Sequence, residues 1–237
     1  MITKFTFTGA DHSVDPQDLA EISQEFPFVE WGILVMPGQF GSPRFPGLQW
    51  IEKLSKIKNL NLSMHLCGRY VKSFMHGDMV ELIETVPLFA KIGLFNRVQI
   101  NTHGFKHDFK YEDLVQLIIN YPEKEFIFQY DNENQHILNA ISREARNIST
   151  LFDLSHGAGV LPEKWPDPID GISCGYAGGL SPKNLKEQIV KIEAAAGDRE
   201  IWIDIETHVR SYSDKTFDLD KVKECCWILQ NHFTSKQ

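Results

Sequence analysis

Cysteine is scarce in this chain. Four occur in 237 residues, Cys67, Cys174, Cys225 and Cys226, and none forms a Cys-x-x-Cys pair. That usage supports neither a disulfide framework nor structural zinc, and it fits a reduced compartment. Long apolar runs are missing as well, so no stretch has the roughly 20 apolar residues a membrane span needs. The first residues enter an apolar strand with no basic-then-apolar leader, and a cytoplasmic protein is expected. Basic residues are in the minority, 24 Lys and Arg against 32 Asp and Glu, for a net charge of -8. With no basic stripe, nucleic acid is not an expected partner. An anionic ligand would have to be held by local N–H groups and one or two cations, not by a general positive field. The histidines are scattered, so no metal and no cofactor is expected. The sequence does not set the oligomeric state.

What the chain does have is alternation. Strand-like segments are expected at Ile2 to Thr8, Val29 to Met36, Leu60 to Leu66, Arg97 to Asn101, Phe126 to Tyr130, Ile148 to Leu154, Ile169 to Cys174 and Ile201 to Ile205. Helical apolar periods follow nearly all of them. They include a long helix from Met75 to Phe89, one from about Gln135 to Arg146, Leu185 to Ala196, and Leu219 to His232. The segment after the sixth strand, with Gly157, Gly159, Trp165 and three prolines, has little helix of its own. Repeats of ~20 to 35 residues are the span of a βα unit. Strict alternation implies parallel strands with right-handed crossovers. Eight units in one chain of this length, with no linker-like change of composition, predict a single closed (β/α)8 barrel, a TIM barrel.

The glycine pair in Gly175-Tyr176-Ala177-Gly178-Gly179-Leu180-Ser181-Pro182-Lys183-Asn184 is the most informative motif. A strand, a Gly-Gly turn and a helix start, with Ser181 as N-cap and Pro182 in the first turn, can present backbone N–H groups to an anion. In a barrel the ligand site forms at the C-terminal strand ends, with phosphate near strands seven and eight. Gly178 and Gly179 are therefore expected to cradle a phosphorylated small molecule, completed by Glu206, Thr207 and His208 at the end of the last strand. Other polar strand ends are Thr8, Asp11, His12, His65, Cys67, Gln99, Asn101, Asp131, Asp153 and His156. Asp153 stands out because it sits in the apolar Ile148 to Leu154. A carboxyl there is expected to resist ionisation and to act as an acid or base, or to orient a buried cation. His65 is a candidate proton carrier or metal ligand, or a hydrogen-bonded core histidine. Arg44, on the loop after the second strand, is a candidate anion clamp.

These motifs together resemble phosphoribosylanthranilate isomerase over nearly the whole chain. The family's Ser-Pro-Arg after its second strand looks like Ser42-Pro43-Arg44, and its Val-Gln-Leu-His-Gly looks like Val98-Gln99-Ile100-Asn101. Its Leu-Leu-Asp and following glycines look like Leu151-Phe152-Asp153 with Gly157 and Gly159. Its Ala-Gly-Gly-Leu-Asn-Pro-Glu-Asn matches Ala177 to Asn184 best. The resemblance implies an isomerase that opens a ribosylamine ring and moves a proton, with Asp153 as general acid. Thr8, in Thr6-Phe7-Thr8-Gly9, stands where the family has its catalytic cysteine, and a threonine hydroxyl has no accessible pKa for the role of base. Asp11, His12 or His65 are candidates to replace it. Ser63-Met64-His65-Leu66 also resembles the metal-binding third strand of ribulose-phosphate 3-epimerases, although Met36-Pro37-Gly38 lacks that family's paired aspartate. A non-catalytic barrel that binds a phosphorylated ligand is the third expectation.

Overall fold

The computed structural model describes residues 1–91, 93–103, 109–131, 133–153 and 159–234. Gly157, His156 and His107 lie outside these residues. Eight strands close in sequence order into an all-parallel barrel: β1 (Ile2–Thr8), β2 (Val29–Val35), β3 (Leu62–Leu66), β4 (Arg97–Ile100), β5 (Glu125–Tyr130), β6 (Ile148–Asp153), β7 (Ser173–Ala177) and β8 (Ile201–Ile205). The helices are α1 (Pro16–Glu25), α2 (Leu48–Leu54), α3 (Arg69–Met75), α4 (Val80–Thr85), α5 (Tyr111–Ile119), α6 (Gln135–Ile141), α7 (Leu185–Ala196) and α8 (Leu219–Thr234). The predicted barrel is therefore the observed one. Between β6 and β7 no helix occurs among the described residues.

Several expected elements are placed differently; α6, for one, ends at Ile141, short of the expected Arg146. The long helix from Met75 to Phe89 is broken into the end of α3, α4 and a 3-10 turn over Pro87–Ala90. Gly77 adopts a left-handed φ of 73°, which ends α3. Pro87, which cannot donate in a continuing helix, opens the 3-10 turn. The seventh strand starts at Ser173, not Ile169, because the chain turns at Asp170-Gly171 before it enters the sheet. Ser181 is not the N-cap of α7 and Pro182 is not in its first turn; both lie before Asn184, which caps the helix at Leu185. The Asn184 side chain reaches back instead, accepting from Ser181 N at 2.9 Å and donating to Gly179 O at 2.8 Å. The glycine turn and the helix start are thus tied into one unit.

Strand alternation sorts the side chains into two very different layers. Outward residues such as Phe5, Phe7, Trp31, Val98, Phe126, Tyr176, Ile203 and Ile205 pack under the helices in the main core. Inside the barrel the apolar cluster is small: Ile127, Leu151, Ala177 and Trp202. Most of the remaining interior is polar and buried, including Thr6, Thr8, Glu30, Ser63, His65, Arg97, Gln99 and Asp204, with Leu34 beside His65 as an apolar exception. At the floor, Arg97 donates to Glu30 at 2.7 Å and to Glu125 at 2.9 Å, and its guanidinium stacks 4.2 Å from the Trp202 ring centroid.

Trp202 fits only because β7 carries a glycine beside it. A Cβ on Gly175 would fall 2.1 Å from Trp202 Cε2, closer than any real contact. The indole is held between that strand and Arg97, so it cannot swing away. Gly175→Ala should destabilise the protein by about 1–3 kcal/mol through overpacking. A melting temperature equal to that of the parent would show that the indole is free to move.

Candidate active site at the barrel mouth

The β7–β8 sector of the C-terminal rim encloses a pocket of about 250 Å³. Its wall includes Asp153 on β6, Ala177 at the end of β7, Gly178 and Gly179, and Asp204 on β8 followed by Glu206, Thr207 and His208. Gln99, Asn101 and Gln129 form the opposite side. Of the residues singled out in the sequence, Asp153, Gln99, Asn101, Gly178, Gly179, Glu206, Thr207 and His208 share this one pocket. Thr8, Asp11, His65 and Arg44 are not part of its wall.

The registers explain why the carboxyls converge. Asp153 pairs with Ala177 across β6 and β7, and Tyr176 pairs with Ile203 across β7 and β8. Continuing that register by one residue sets Ala177 beside Asp204. Two strand spacings separate Asp153 from Asp204, roughly 10 Å between backbones, and the small Ala177 side chain leaves the space between them open. Gln129 Nε2 lies 3.5 Å from Asp153 Oδ2, and Gln129 Oε1 accepts from His103 N at 3.0 Å, so this amide orients the aspartate. Gln99 donates to Asn101 and Asn101 to Cys67 Sγ, a short chain of side-chain contacts along the β3–β4 side.

Asp204 was not singled out in the sequence, and it is the most perturbed group here. It is buried, and its Oδ1 accepts a 2.8 Å hydrogen bond from Thr8 Oγ1. Burial pushes its carboxyl well above the ordinary aspartate value of 3.8; Thr8 opposes the shift, and Glu206, Glu30 and Asp153 add to it. Alternation along Trp202-Ile203-Asp204-Ile205-Glu206 is the signal that could have found it, since every second residue points inward. Glu206 is also raised, by burial first and by Asp153, against the pull of Arg44.

Thr8 is therefore a hydrogen-bond donor below the mouth. Asp11 is fully buried in an ion pair with Arg210 at 2.8 Å, and also accepts from Ser13 N and Arg44 N. Burial alone would raise its carboxyl, but Ser13, the Arg44 N–H and Arg210 outweigh it and the net shift is downward. It anchors the rim and has no face toward the pocket wall. His65 packs across Gly32, where a Cβ would fall 2.8 Å from its Cε1 and 2.3 Å from Thr8 Oγ1. Neither of its ring nitrogens has a hydrogen-bond partner. Burial, followed by the charge of Arg97, lowers its pKa to about 3, so the ring is neutral at physiological pH. It is an interior residue beneath the site and lies outside the pocket wall. Arg44 holds a left-handed φ of 73° and pairs with Asp214 at 2.9 Å and with Glu206. Its fork is occupied by carboxylates of the chain itself.

The glycine turn has a structural duty that the sequence did not reveal. Gly179 has a φ of 67°, and a Cβ there would fall 2.3 Å from Leu161 N and 2.5 Å from Val160 C. The missing side chain makes room for the backbone of the β6–β7 loop. His208 Nε2 and Gly159 O, 3.0 Å apart, join the same loop to the end of β8. The proton of that bond is on Nε2, since a carbonyl only accepts. Among the described residues no group of three or more His, Cys, Asp and Glu is placed to hold a metal ion, and no helix is long and apolar enough to cross a membrane.

No protein-family model matches the chain, and no curated protein matches it in sequence. Solved structures do. Monomers generated from the dimeric phosphoribosylanthranilate isomerase of Thermotoga maritima superpose with a TM-score of 0.58 at 13% identity, over 98% of this chain and 100% of that one. The same enzyme name belongs to a structure from Pyrococcus furiosus, with a TM-score of 0.55 at 14% identity over 97% and 99% of the two chains. The Bacillus subtilis spore coat polysaccharide biosynthesis protein spsE reaches 0.57 at 12% identity, over 99% of this chain and 69% of that one. At such identities the likeness is one of fold: this chain is a (β/α)8 barrel built like phosphoribosylanthranilate isomerase.

Proposed function

We propose that the barrel mouth is the active site of an isomerase acting on a small phosphorylated sugar conjugate. The observation that carries this reading is the placement of two inward carboxyls, Asp153 and Asp204, on either side of Ala177 in a pocket whose wall continues into the Gly178-Gly179 turn. Proton transfer needs such a pair within reach of one bound molecule. A phosphate suits the backbone N–H groups of the turn and of Thr207 and His208, on the β7–β8 side where barrels commonly hold it. The three carboxyl side chains of the pocket require the anion to stay on that side. One structural neighbour, a phosphoribosylanthranilate isomerase, is in complex with a reduced carboxyphenylamino deoxyribulose phosphate, which is a ligand of this class. In this reading Gln99, Asn101 and Gln129 bind sugar hydroxyls, and Arg44 reaches a second anionic group by releasing Glu206.

Two measurements test it. Inorganic phosphate should shift the amide resonances of Gly178, Gly179, Thr207 and His208 ahead of others. Asp153→Asn keeps the shape and removes the proton-transfer group, so turnover should fall about 100-fold or more with ligand binding retained. The assay is deuterium incorporation from solvent into a panel containing a phosphoribosyl arylamine and a ribose phosphate. Phosphate-induced shifts without turnover of any member would leave a phosphate-binding barrel instead.

A further inference from the structure

The Thr8–Asp204 contact is the feature of the barrel that the reading above leaves unused. We propose that Asp204 is the proton donor of the mouth and that Thr8 is the residue that positions it, an assignment that rests on the isomerase reading. Asp204 reaches the pocket wall while being 5% exposed. Its Oδ1 is taken by the Thr8 hydroxyl, 2.8 Å away. A carboxyl whose Oδ1 already accepts carries its own proton on Oδ2. Three carboxyls act on it: Glu206 just after its own strand, Glu30 from β2 and Asp153 from β6; the cations beside them, Arg97 on Glu30 and Arg44 on Glu206, are already paired there. Thr8 of β1 is its neutral partner. Burial beside other carboxyls favours the protonated form of Asp204, and a carboxylic acid so held can donate its proton.

The residue in the cysteine position therefore has a different task here. Thr8 does not remove a proton; it donates to Asp204 and fixes which oxygen carries the acid proton. Asp153, with the amide of Gln129 beside it, takes the part of the base.

The step balances with these two groups alone. Asp204 gives its proton to the ring oxygen of the cyclic conjugate as the C1–O bond breaks, and that bond's electron pair stays on the oxygen. The nitrogen lone pair closes a C1=N bond. The Asp153 carboxylate takes the C2 proton; the C2–H pair becomes C1=C2 and the C=N pair returns to nitrogen. Asp153 then returns its proton to C1 while the C2 hydroxyl proton passes to the Asp204 carboxylate. The product is the ketose, and both side chains recover their starting states.

The test combines a titration with turnover. With aspartate carboxyls labelled with carbon-13, Asp204 should stay protonated through neutral pH, far above the ordinary aspartate value of ~3.9. Thr8→Val removes a donor that favours the charged form, so the Asp204 titration should move further up, and Thr8→Ser should restore it. Asp204→Asn, folded by its melting curve, should slow deuterium incorporation into a phosphoribosyl arylamine or a ribose phosphate about 100-fold or more. The phosphate-induced amide shifts should survive in it. An ionised Asp204 at neutral pH, or an Asp204→Asn protein that exchanges as fast as the wild type, overturns the assignment while the isomerase reading stands. A wild type that exchanges none of the probes sinks the isomerase reading, and the donor role with it.

Discussion

Arg97→Met should be among the most damaging single changes in this protein, costing about 3–5 kcal/mol. The guanidinium is 4% exposed and closes the floor of the barrel. It donates to Glu30, which is itself 1% exposed, and to Glu125, and it covers the face of Trp202. A buried ion pair adds little over an apolar replacement of the whole set, but removing one member strands the other. Without Arg97, the side-chain partners left to Glu30 among the described residues are the Thr6 hydroxyl at 2.9 Å and Lys4 at 3.5 Å. Urea denaturation of the single variant and of Arg97→Met with Glu30→Gln separates the two contributions. The double variant should regain a large part of the loss, since its neutral amide has no uncompensated charge. Equal stability of the single variant and the wild type would show that Glu30 is solvated or protonated in the folded state.

The Arg97–Glu125 pair gives a sign for the pH dependence. Burial would raise the Glu125 carboxyl, but Arg97, together with the Ser149 hydroxyl and Lys4, outweighs it and the net value falls below the ordinary 4.5. A folded-state pKa below the unfolded one contributes stability that is complete above about 4.5 and is lost as the pH falls through the depressed value. Acid should therefore destabilise the wild type more steeply below about pH 4.5 than it destabilises Arg97→Met. Parallel acid limbs for the two proteins would remove Arg97 as the cause.

Arg210→Met is the second large effect, expected at about 3 kcal/mol or more. Arg210 is fully buried and joins the end of β1 to the loop after β8 through Gly9 O, Asp11 and Asp214. Asp11 has no exposed surface, so it would lose its buried cation, although it keeps the Ser13 and Arg44 N–H donors. The damage should reach the rim. The same Asp11 carboxylate that binds Arg210 holds the strained Arg44 backbone, and Arg44 in turn pairs with Glu206 at the pocket. Hydrogen exchange should show loss of protection at Gly9 and Arg44 before the distant helices α5 and α6 are affected. A melting curve like that of the wild type, with those amides still protected, would mean that Asp11 finds a substitute partner.

Much of the mouth was legible in the chain because it depends on local patterns. A period of two marks strands and a period of 3.6 marks helices within a few residues, and eight repetitions leave a closed barrel as the compact way to pair every strand edge. Helix α7 and strands β1 and β8 have the bounds read from the sequence. Once the strand ends are known, barrel topology alone brings Asp153, Gln99, Gly178 and Glu206 to one rim. The tertiary structure decided which of the polar residues are already spoken for. Thr8 meets Asp204 across 196 positions of sequence, and Arg210 meets Asp11 across 199. Those meetings exist because the last strand closes on the first. The inward register of a closed sheet depends on all eight strands at once, so no window of the sequence contains it. That is why Asp11 and His65, polar at strand ends, turn out to serve the interior, and why Asp204, inconspicuous between two isoleucines, holds the most perturbed carboxyl of the mouth.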